Sequence, residues 1–336
     1  MSTIADVARV AGVSISTVSY ALSGKRPVAA DTARRVQEAI DQLGYRPHAG
    51  ARALASNRTH VLGLVAPLRP EVGLPVIMQF VSALALGARQ RDHDLLLLTQ
   101  AEGTAGLERV TSSAMVDALI VMDVGTHDER IPLITTLRQP TVLIGLPEHN
   151  EGLSCVDLDF AQVAQIAVEH LEQLGHRSVV LVGSPARIYR RGINYALRVR
   201  AAFEEETGKR GIHGVVVPCD HTPAGIAHCL EHIAEAAPDA TAMIIHNEEA
   251  MPSLLEALRA QGRRIPEDLS VIAVCPPDRL ESQPIPLTSI DIPITEISEL
   301  AIAMVMQRLD GTADPHVSLA PVALTVRAST SPAASR

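Results

Sequence analysis

Aromatic residues are scarce in this chain, which has no tryptophan, three phenylalanines and four tyrosines among 336 residues. Its four cysteines (Cys155, Cys219, Cys229 and Cys275) do not have zinc-like spacing, so we expect reduced core residues. No apolar run approaches the roughly 18 residues that a membrane helix needs. The opening MSTIADVARV places charges inside a helical pattern, which is unlike a secretion signal. We therefore expect a cytoplasmic protein with no membrane partner.

Recognisable catalytic motifs are also absent. The sequence contains no GxSxG, HExxH, P-loop or GxGxxG pattern. His228 and His232 share a predicted helix face at i, i+4, but no third ligand accompanies them, and a solvated face explains such a pair more often than a metal site. We expect neither an enzyme nor a bound metal or cofactor.

The charge is distributed unevenly. Residues 1–60 hold eight basic and four acidic side chains, whereas the whole chain carries a net charge of −9, so the rest is strongly acidic. A basic end on an acidic body suits a nucleic-acid binder whose body must not itself attach to phosphate. The length and the 47% of hydrophobic residues predict more than one folded domain.

Two short helices with a tight turn are predicted at the N-terminus. Thr3 and Asp6 have the spacing of a capping box, and Gly12 ends the first helix after about two turns. Ser14 caps a second helix over residues 15–22, in which we expect Val18 and Leu22 to face inward. Two helices joined by a glycine-containing turn are typical of a helix-turn-helix.

A third helix follows and completes a small unit. It begins at Asp31, ends at Gly44 and places Val36, Ile40 and Leu43 on its inner face. A three-helix head with no role in DNA binding is the alternative interpretation.

From Val61 onward, short apolar runs alternate with amphipathic segments. This alternation is typical of doubly wound parallel sheets. The predicted strands are VLGLVAP, DLLLLTQ, ALIVMDV and TVLIGLP in a first set, and SVVLVGSP, GVVVPC, AMIIHN and LSVIAVC in a second.

The segments TIADVARVAGVS, TVSYALSG, VAADTARRVQEAIDQLGYRP and ARAL resemble the LacI/GalR family of bacterial repressors. The resemblance implies an α/β protein with an N-terminal helix-turn-helix three-helix head, a hinge helix and a two-lobed periplasmic-binding-protein-like body of doubly wound parallel sheets. The implied division is residues 1–46 for the head, 47–60 for hinge and linker, and 61–330 for effector binding and dimerisation. Lobe 1 spans about 61–159 plus 292–320, lobe 2 spans about 160–291 plus 321–330, and 331–336 form a disordered tail.

The resemblance also implies which residues contact DNA. In the family the second helix lies in the major groove, where Ile15, Ser16 and Tyr20 would meet base edges and Thr17 and Ser19 would hold phosphates. Tyr20 could instead be an ordinary surface aromatic. The full implied set is Ile15, Ser16, Thr17, Ser19, Tyr20, Arg26, Tyr45, His48 and Leu54.

Leu54 has a special place in that set. In the family, a leucine of the hinge helix inserts into the minor groove and kinks the operator, and the bend lets more protein surface touch DNA. Leu54 of ARAL occupies the matching position. The alternative is that residues 47–56 are only a linker.

The effector cleft departs from the family pattern. Sugar-binding members usually carry an Asp-Arg pair where this chain has Gly145 and Leu146, and an aspartate where it has Cys275. Losing these groups predicts poor binding of common free hexoses. Asn247 matches a family position, and the remaining candidates for effector binding are Arg190, Tyr195 and Arg198, each of which could equally be a surface residue.

The resulting hypothesis is a sequence-specific transcriptional regulator, a repressor that binds a palindromic operator as a homodimer and responds to a small-molecule effector. A solute-binding protein or a nucleoside-processing enzyme on a similar body is the rival. The operator sequence, the effector's identity or existence, its sign of action, and dimer against tetramer all stay open.

Overall fold

A computed structural model describes residues 2–23, 26–45, 58–66, 68, 74–99, 103–281 and 283–333. The head consists of three helices, α1 (Ile4–Ala11), α2 (Ile15–Ser23) and α3 (Ala30–Leu43). Their buried side chains form one small core of Val7, Ala8, Ala11, Val18, Val36 and Ala39.

Local signals fix the ends of these helices. The predicted capping box is present, because the Asp6 N–H donates to the Thr3 hydroxyl and the Thr3 N–H donates to the Asp6 carboxylate. Gly12 and Gly44 end α1 and α3 in the left-handed conformation that favours glycine. One expectation was wrong: Leu22 is 39% exposed and does not enter the core. The core of the head is small, and Val18 fills the place where α2 meets it.

The first sheet of the body has six strands in the order β11-β5-β4-β3-β1-β2, all parallel. These strands are β1 (Val61–Ala66), β2 (Asp94–Thr99), β3 (Ala118–Val121), β4 (Thr141–Ile144), β5 (Ser154–Leu158) and β11 (Val317–Ala320). The helices that accompany it are α4 (Leu74–Arg89), α5 (Gly103–Ser112), α6 (Ile131–Ile134) and α13 (Ile294–Leu309).

The second sheet repeats this arrangement, with the order β12-β10-β9-β8-β6-β7. Only the short β12 runs antiparallel, against β10. The strands are β6 (Ser178–Gly183), β7 (His213–Pro218), β8 (Ala242–Ile245), β9 (Ser270–Cys275), β10 (Thr288–Asp291) and β12 (Leu324–Thr325). Its helices are α7 (Phe160–Gln173), α8 (Ala186–Arg190), α9 (Asn194–Lys209), α10 (Pro223–Ala236), α11 (Met251–Ala260) and α12 (Asp278–Glu281).

The expected fold class is confirmed: a helix-turn-helix head precedes two doubly wound sheets. We call the part around the first sheet lobe 1 and the part around the second lobe 2. The chain passes between them after β5, after β10 and between β11 and β12. In sheets with this strand order, ligands bind beyond the carboxyl ends of the strands.

The end of the chain packs more than expected. The Ser331 N–H donates to Ser270 Oγ, and the Ala333 N–H donates to the carbonyl of Leu174. Residues 331–333 are therefore held on lobe 2, within the segment for which we predicted disorder. Residues 334–336 lie outside the described part of the chain.

Candidate DNA-binding head and effector cleft

The outer face of α2 carries the residues expected to read bases. Ile15, at the first position of α2, is 52% exposed. Ser16 is exposed beside it, and Tyr20 is half-buried one turn further along. The Arg26 guanidinium lies 5.4 Å from the centre of the Tyr20 ring. These four side chains are available to a groove that α2 could enter.

Hydroxyl groups cluster at the start of α2. Ser14 Oγ accepts the Thr17 N–H at 3.1 Å, which caps the helix. The same oxygen lies 2.8 Å from both Ser16 Oγ and Thr17 Oγ1. This end of α2 therefore presents several hydroxyls and free helix N–H groups, which suits phosphate.

The other expected DNA contacts are placed as follows. Ser19 is half-buried on α2, and Tyr45 follows α3 and packs against the core of the head. His48 and Leu54 lie outside the described residues, so the hinge-helix prediction stays a prediction.

A cleft lies between the two lobes, where the carboxyl ends of both sheets face each other. The cavity volume is about 170 Å³. Lobe 1 contributes the end of β5 and residues that follow β3 and β4, while lobe 2 contributes the start of α7 and residues that follow β6 and β8. The cleft is thus built by the strand ends that the fold brings together.

Most of the lining is apolar or aromatic. Phe160, Tyr195 and His246 form a triangle of rings with centroids 5.7–5.8 Å apart, and His246 meets the other two edge-on. Such spacings are favourable for aromatic pairs. In a chain with so few aromatic residues, their concentration here points to a surface that receives a flat or apolar ligand group.

Two carboxylates of the lining are held by arginines from the opposite lobe. Asp123 follows β3 and has a positive φ of 58°, and its carboxylate accepts a hydrogen bond from the Arg191 guanidinium at 2.9 Å. The carboxylate of Asp157 in β5 accepts a hydrogen bond from the Arg198 guanidinium at 2.6 Å. Burial raises the pKa of Asp157 to about 6, although the Arg198 charge opposes that shift. These pairs connect the lobes.

The stretch after β8 supplies the polar wall of lobe 2. His246 is 4% exposed, and burial lowers its pKa to about 4, so the ring is neutral at pH 7. Burial raises the pKa of Glu248 to about 7, and the charge of the neighbouring Glu249 acts in the same direction. Both shifts arise because an apolar surrounding disfavours the charged form.

The four residues predicted for effector binding lie in different positions relative to the cleft. Asn247 and Tyr195 line the cleft, and Arg198 lies behind Asp157. Arg190 is exposed and is not part of the lining, so the structure does not support that assignment. α8 is a single short turn that directs Ile188 into the cleft and Arg190 away from it.

The side chain of Asn247 is largely used by the protein itself. Its amide donates to the carbonyl of Cys219 at 2.7 Å, and its oxygen accepts the N–H groups of Glu249 and Ala250. Asn247 therefore shapes the loop that leads into α11, and it has little hydrogen-bonding capacity left for a ligand.

Several lining residues were missed from the sequence. Asp123, Asp157, Phe160, Ser184 and His246 lie at or just beyond the carboxyl ends of strands or at a crossing between lobes. That position was the available signal: in a doubly wound sheet, the residue after each strand is a candidate for the site.

Two absences can be stated for the described residues. They contain no group of three or more His, Cys, Asp or Glu side chains arranged to hold a metal ion, and the His228 and His232 rings lie 6.4 Å apart. Within the same residues, no helix is both long and apolar enough to cross a bilayer.

Comparison with known proteins agrees with this architecture. Residues 3–48 match the model of bacterial regulatory proteins of the lacI family, and residues 168–330 match that of a periplasmic binding protein-like domain. Catabolite control protein A of Streptococcus mutans is 30% identical over 313 residues, which cover 90% of each chain. The chain belongs to the LacI family.

Solved structures lead to the same fold. A LacI family transcriptional regulator from Bifidobacterium animalis subsp. lactis matches with a TM-score of 0.74 and 27% identity, covering 82% of this chain and all of that one. The Lac repressor dimer bound to operator and the anti-inducer ONPF matches with a TM-score of 0.83 and 20% identity, covering 98% and 99%. The LacI-family chain is thus a DNA-binding transcriptional regulator and not an enzyme, and the rival interpretations are not favoured.

Proposed function

We propose that this LacI-family regulator is a repressor that binds a palindromic operator as a homodimer and changes its operator affinity when a small molecule occupies the cleft. The observation that carries the proposal is the exposed face of α2, with Ile15, Ser16 and Tyr20 on a helix-turn-helix scaffold. In the head, α1 and α3 pack with α2 around one core, and this is the kind of scaffold on which a helix-turn-helix presents its second helix to a major groove.

The apolar surface of lobe 1 supports the homodimer. Leu74, Met78 and Leu86 are exposed along α4, and Leu97 is exposed on β2, the edge strand of the sheet beside it. Exposed apolar side chains on one helix and an adjacent edge strand are typical of an interface between subunits. Two heads on a C₂ dimer would read two inverted half-sites.

We infer the same division of labour that the family resemblance implies. In this proposal, residues 1–46 bind the operator, 47–60 form a hinge helix and linker, and 61–330 bind the effector and dimerise. Lobe 1 comprises about 61–159 plus 292–320, and lobe 2 about 160–291 plus 321–330. Because the Lac repressor structure of the same fold carries both operator and anti-inducer, it supports one body coupling the two sites.

Selection of random duplexes tests the proposal. The full-length protein is incubated with a pool of random DNA, and the bound sequences are amplified and read. We expect enriched sites with inverted symmetry, and binding that weakens steeply as salt increases because phosphate contacts release counterions. Enriched sites without inverted repeats would contradict the dimeric reader.

A further inference from the structure

The charged residues that line the cleft are all acidic. They are Asp123, Asp157, Glu248 and Glu249, and no arginine or lysine among the described residues belongs to the lining. An anionic ligand would therefore meet carboxylates on both walls. A ligand that donates hydrogen bonds or carries positive charge is favoured instead.

The four carboxylates are not equivalent. Asp123 and Asp157 are each held by an arginine of lobe 2, at 2.9 Å and 2.6 Å. Glu249 lies 3.7 Å from the His221 ring. Within the described part of the chain, Glu248 forms no ion pair, so it is the carboxylate that remains for a ligand cation.

A second, independent feature of the cleft is a buried nitrogen of His246 that lacks a hydrogen-bond partner among the described residues. His246 is nine-tenths buried, lines the cleft, and has an Nδ1 atom with no hydrogen-bond partner among the described residues. Buried polar atoms of this kind are normally satisfied. Since the His246 ring is neutral, one of its nitrogens carries no proton and can accept a hydrogen bond from a ligand N–H group.

The rest of the wall limits what a ligand can be. Phe160 and Tyr195 complete the ring triangle, and the Asn247 amide is used within its own loop. A polyhydroxylated ring would need several donors and acceptors on all sides, whereas this cleft offers mainly apolar surface. A cation with an apolar body, in contrast, can gain from both the rings and the carboxylate.

We propose that the effector is a small organic cation: a primary ammonium on an apolar or aromatic body. Its N–H groups donate to the Glu248 carboxylate and to His246, and its body lies against Phe160 and Tyr195. The inference rests on the proposed function, because it names the class of molecule to which the regulator responds.

Proton release accompanies binding of such a cation. The groups around Glu248 are Glu249, Arg279, Cys275 and Tyr195, of which only Arg279 is positive. Burial raises the pKa of Glu248 to about 7, so part of the population is protonated at neutral pH. An ammonium beside the carboxyl lowers that pKa, and the proton leaves as the cation arrives.

The test compares four probes that differ in charge and polarity. Phenethylammonium is the cation, 2-phenylethanol its neutral counterpart, 3-phenylpropionate the anion, and cellobiose the sugar. Full-length protein is titrated with each one, and binding is measured by thermal shift and by calorimetry at pH 7 in two buffers of different ionisation enthalpy. We expect binding of phenethylammonium only, with a buffer-dependent heat that reports proton release.

Two matched variants locate the charge. Glu248→Gln keeps the shape of the side chain and should weaken phenethylammonium binding by roughly ten- to hundredfold, as expected for losing a hydrogen bond to a charged group, and should abolish proton release. Glu256→Gln removes the same charge from the exposed side of α11 and should change neither. Equal losses in both variants would show a long-range charge effect and would overturn the assignment of Glu248.

Operator binding is measured on the same samples. If the wild-type protein binds an inverted-repeat duplex but cellobiose or 3-phenylpropionate binds the cleft and phenethylammonium does not, the cation inference is wrong and the proposed function stands. Failure of phenethylammonium to bind at millimolar concentration also overturns the inference. If the protein binds no duplex, the proposed function fails, whatever the probes do.

Discussion

Gly145 follows β4 and has a φ of 132°, a conformation that residues other than glycine rarely adopt. A Cβ atom built on it would lie 2.8 Å from the Cβ of Val124. The backbone at Gly145 therefore lies close to Val124 at the floor of the cleft. A side chain at this position would be strained, because its Cβ atom would overlap with Val124.

Gly145→Ala is expected to lower the free energy of unfolding of the body by about 1–3 kcal/mol, because the alanine adds both backbone strain and an overlap with Val124. Gly152→Ala is the matched control, since Gly152 also has a positive φ (78°) but a Cβ atom built on it would have nothing within 4 Å. Denaturant unfolding followed by circular dichroism measures both. Equal losses in the two variants would show that the overlap with Val124 costs nothing.

At the scale of secondary structure, α2 separates two kinds of apolar residue. Ile15 is exposed and Val18 is fully buried, although they lie three residues apart. The helical period does not predict this separation, because residues three or four apart are neighbours on one helix face. Ile15 and Leu22 lie near the two ends of α2, outside the small core of the head, and only Val18 at its middle enters that core.

Ile15→Ala should leave the melting temperature of the head nearly unchanged. It should weaken operator binding by about 1–2 kcal/mol, because the alanine buries less apolar area against DNA. Val18→Ala is the control: it removes a core side chain and should destabilise the head by about 2 kcal/mol. Fluorescence anisotropy with a labelled duplex measures affinity, and circular dichroism measures melting. If Ile15→Ala binds as tightly as wild type, Ile15 is not a DNA contact.

A third prediction concerns Leu54, which we expect to kink the operator. Leu54→Ala should keep the body folded and dimeric but weaken operator binding by a few kcal/mol, because the kink and the contacts it permits are lost. A circular-permutation assay should show reduced bending of the operator. Unchanged affinity together with unchanged bending would make residues 47–56 a linker.

The sequence predicted the long apolar strands and most helices because their periods are strong. It missed β5 and β10, which carry Ser154 and Asp157 in one case and Thr288, Ser289 and Asp291 in the other. Polar residues are rare in buried strands, and no local pattern reveals that a distant partner will satisfy them. Asp157 is paired by Arg198 and Ser289 Oγ accepts Arg327, and these partners meet only once the sheets have formed.

At the scale of the whole molecule, hydrogen bonds and ion pairs join the two lobes directly. Gln79 Nε2 donates to Asp278 at 2.8 Å, and the Thr126 N–H donates to the carbonyl of Gly192 at 2.8 Å. Together with the arginine pairs, these bonds hold the two lobes against each other. No pattern in either lobe predicts them, because each bond joins residues that only the assembled fold brings together.

A change in the contacts between the lobes is how an effector in the cleft would act on the regulator. A ligand can shift the equilibrium between an open and a closed form only by binding the two with different affinity. Coupling of about 1–3 kcal/mol to the operator site is typical. Gly145 has no side chain, Cys275 is buried at the end of β9 and the Asn247 amide is occupied, so free hexoses find few partners on either wall. We therefore expect glucose and galactose at sub-millimolar concentration neither to raise the melting temperature of the body nor to release a labelled operator. Stabilisation and release by either sugar would show that closure rearranges these groups enough to grip a hexose, which would refute our interpretation of the cleft.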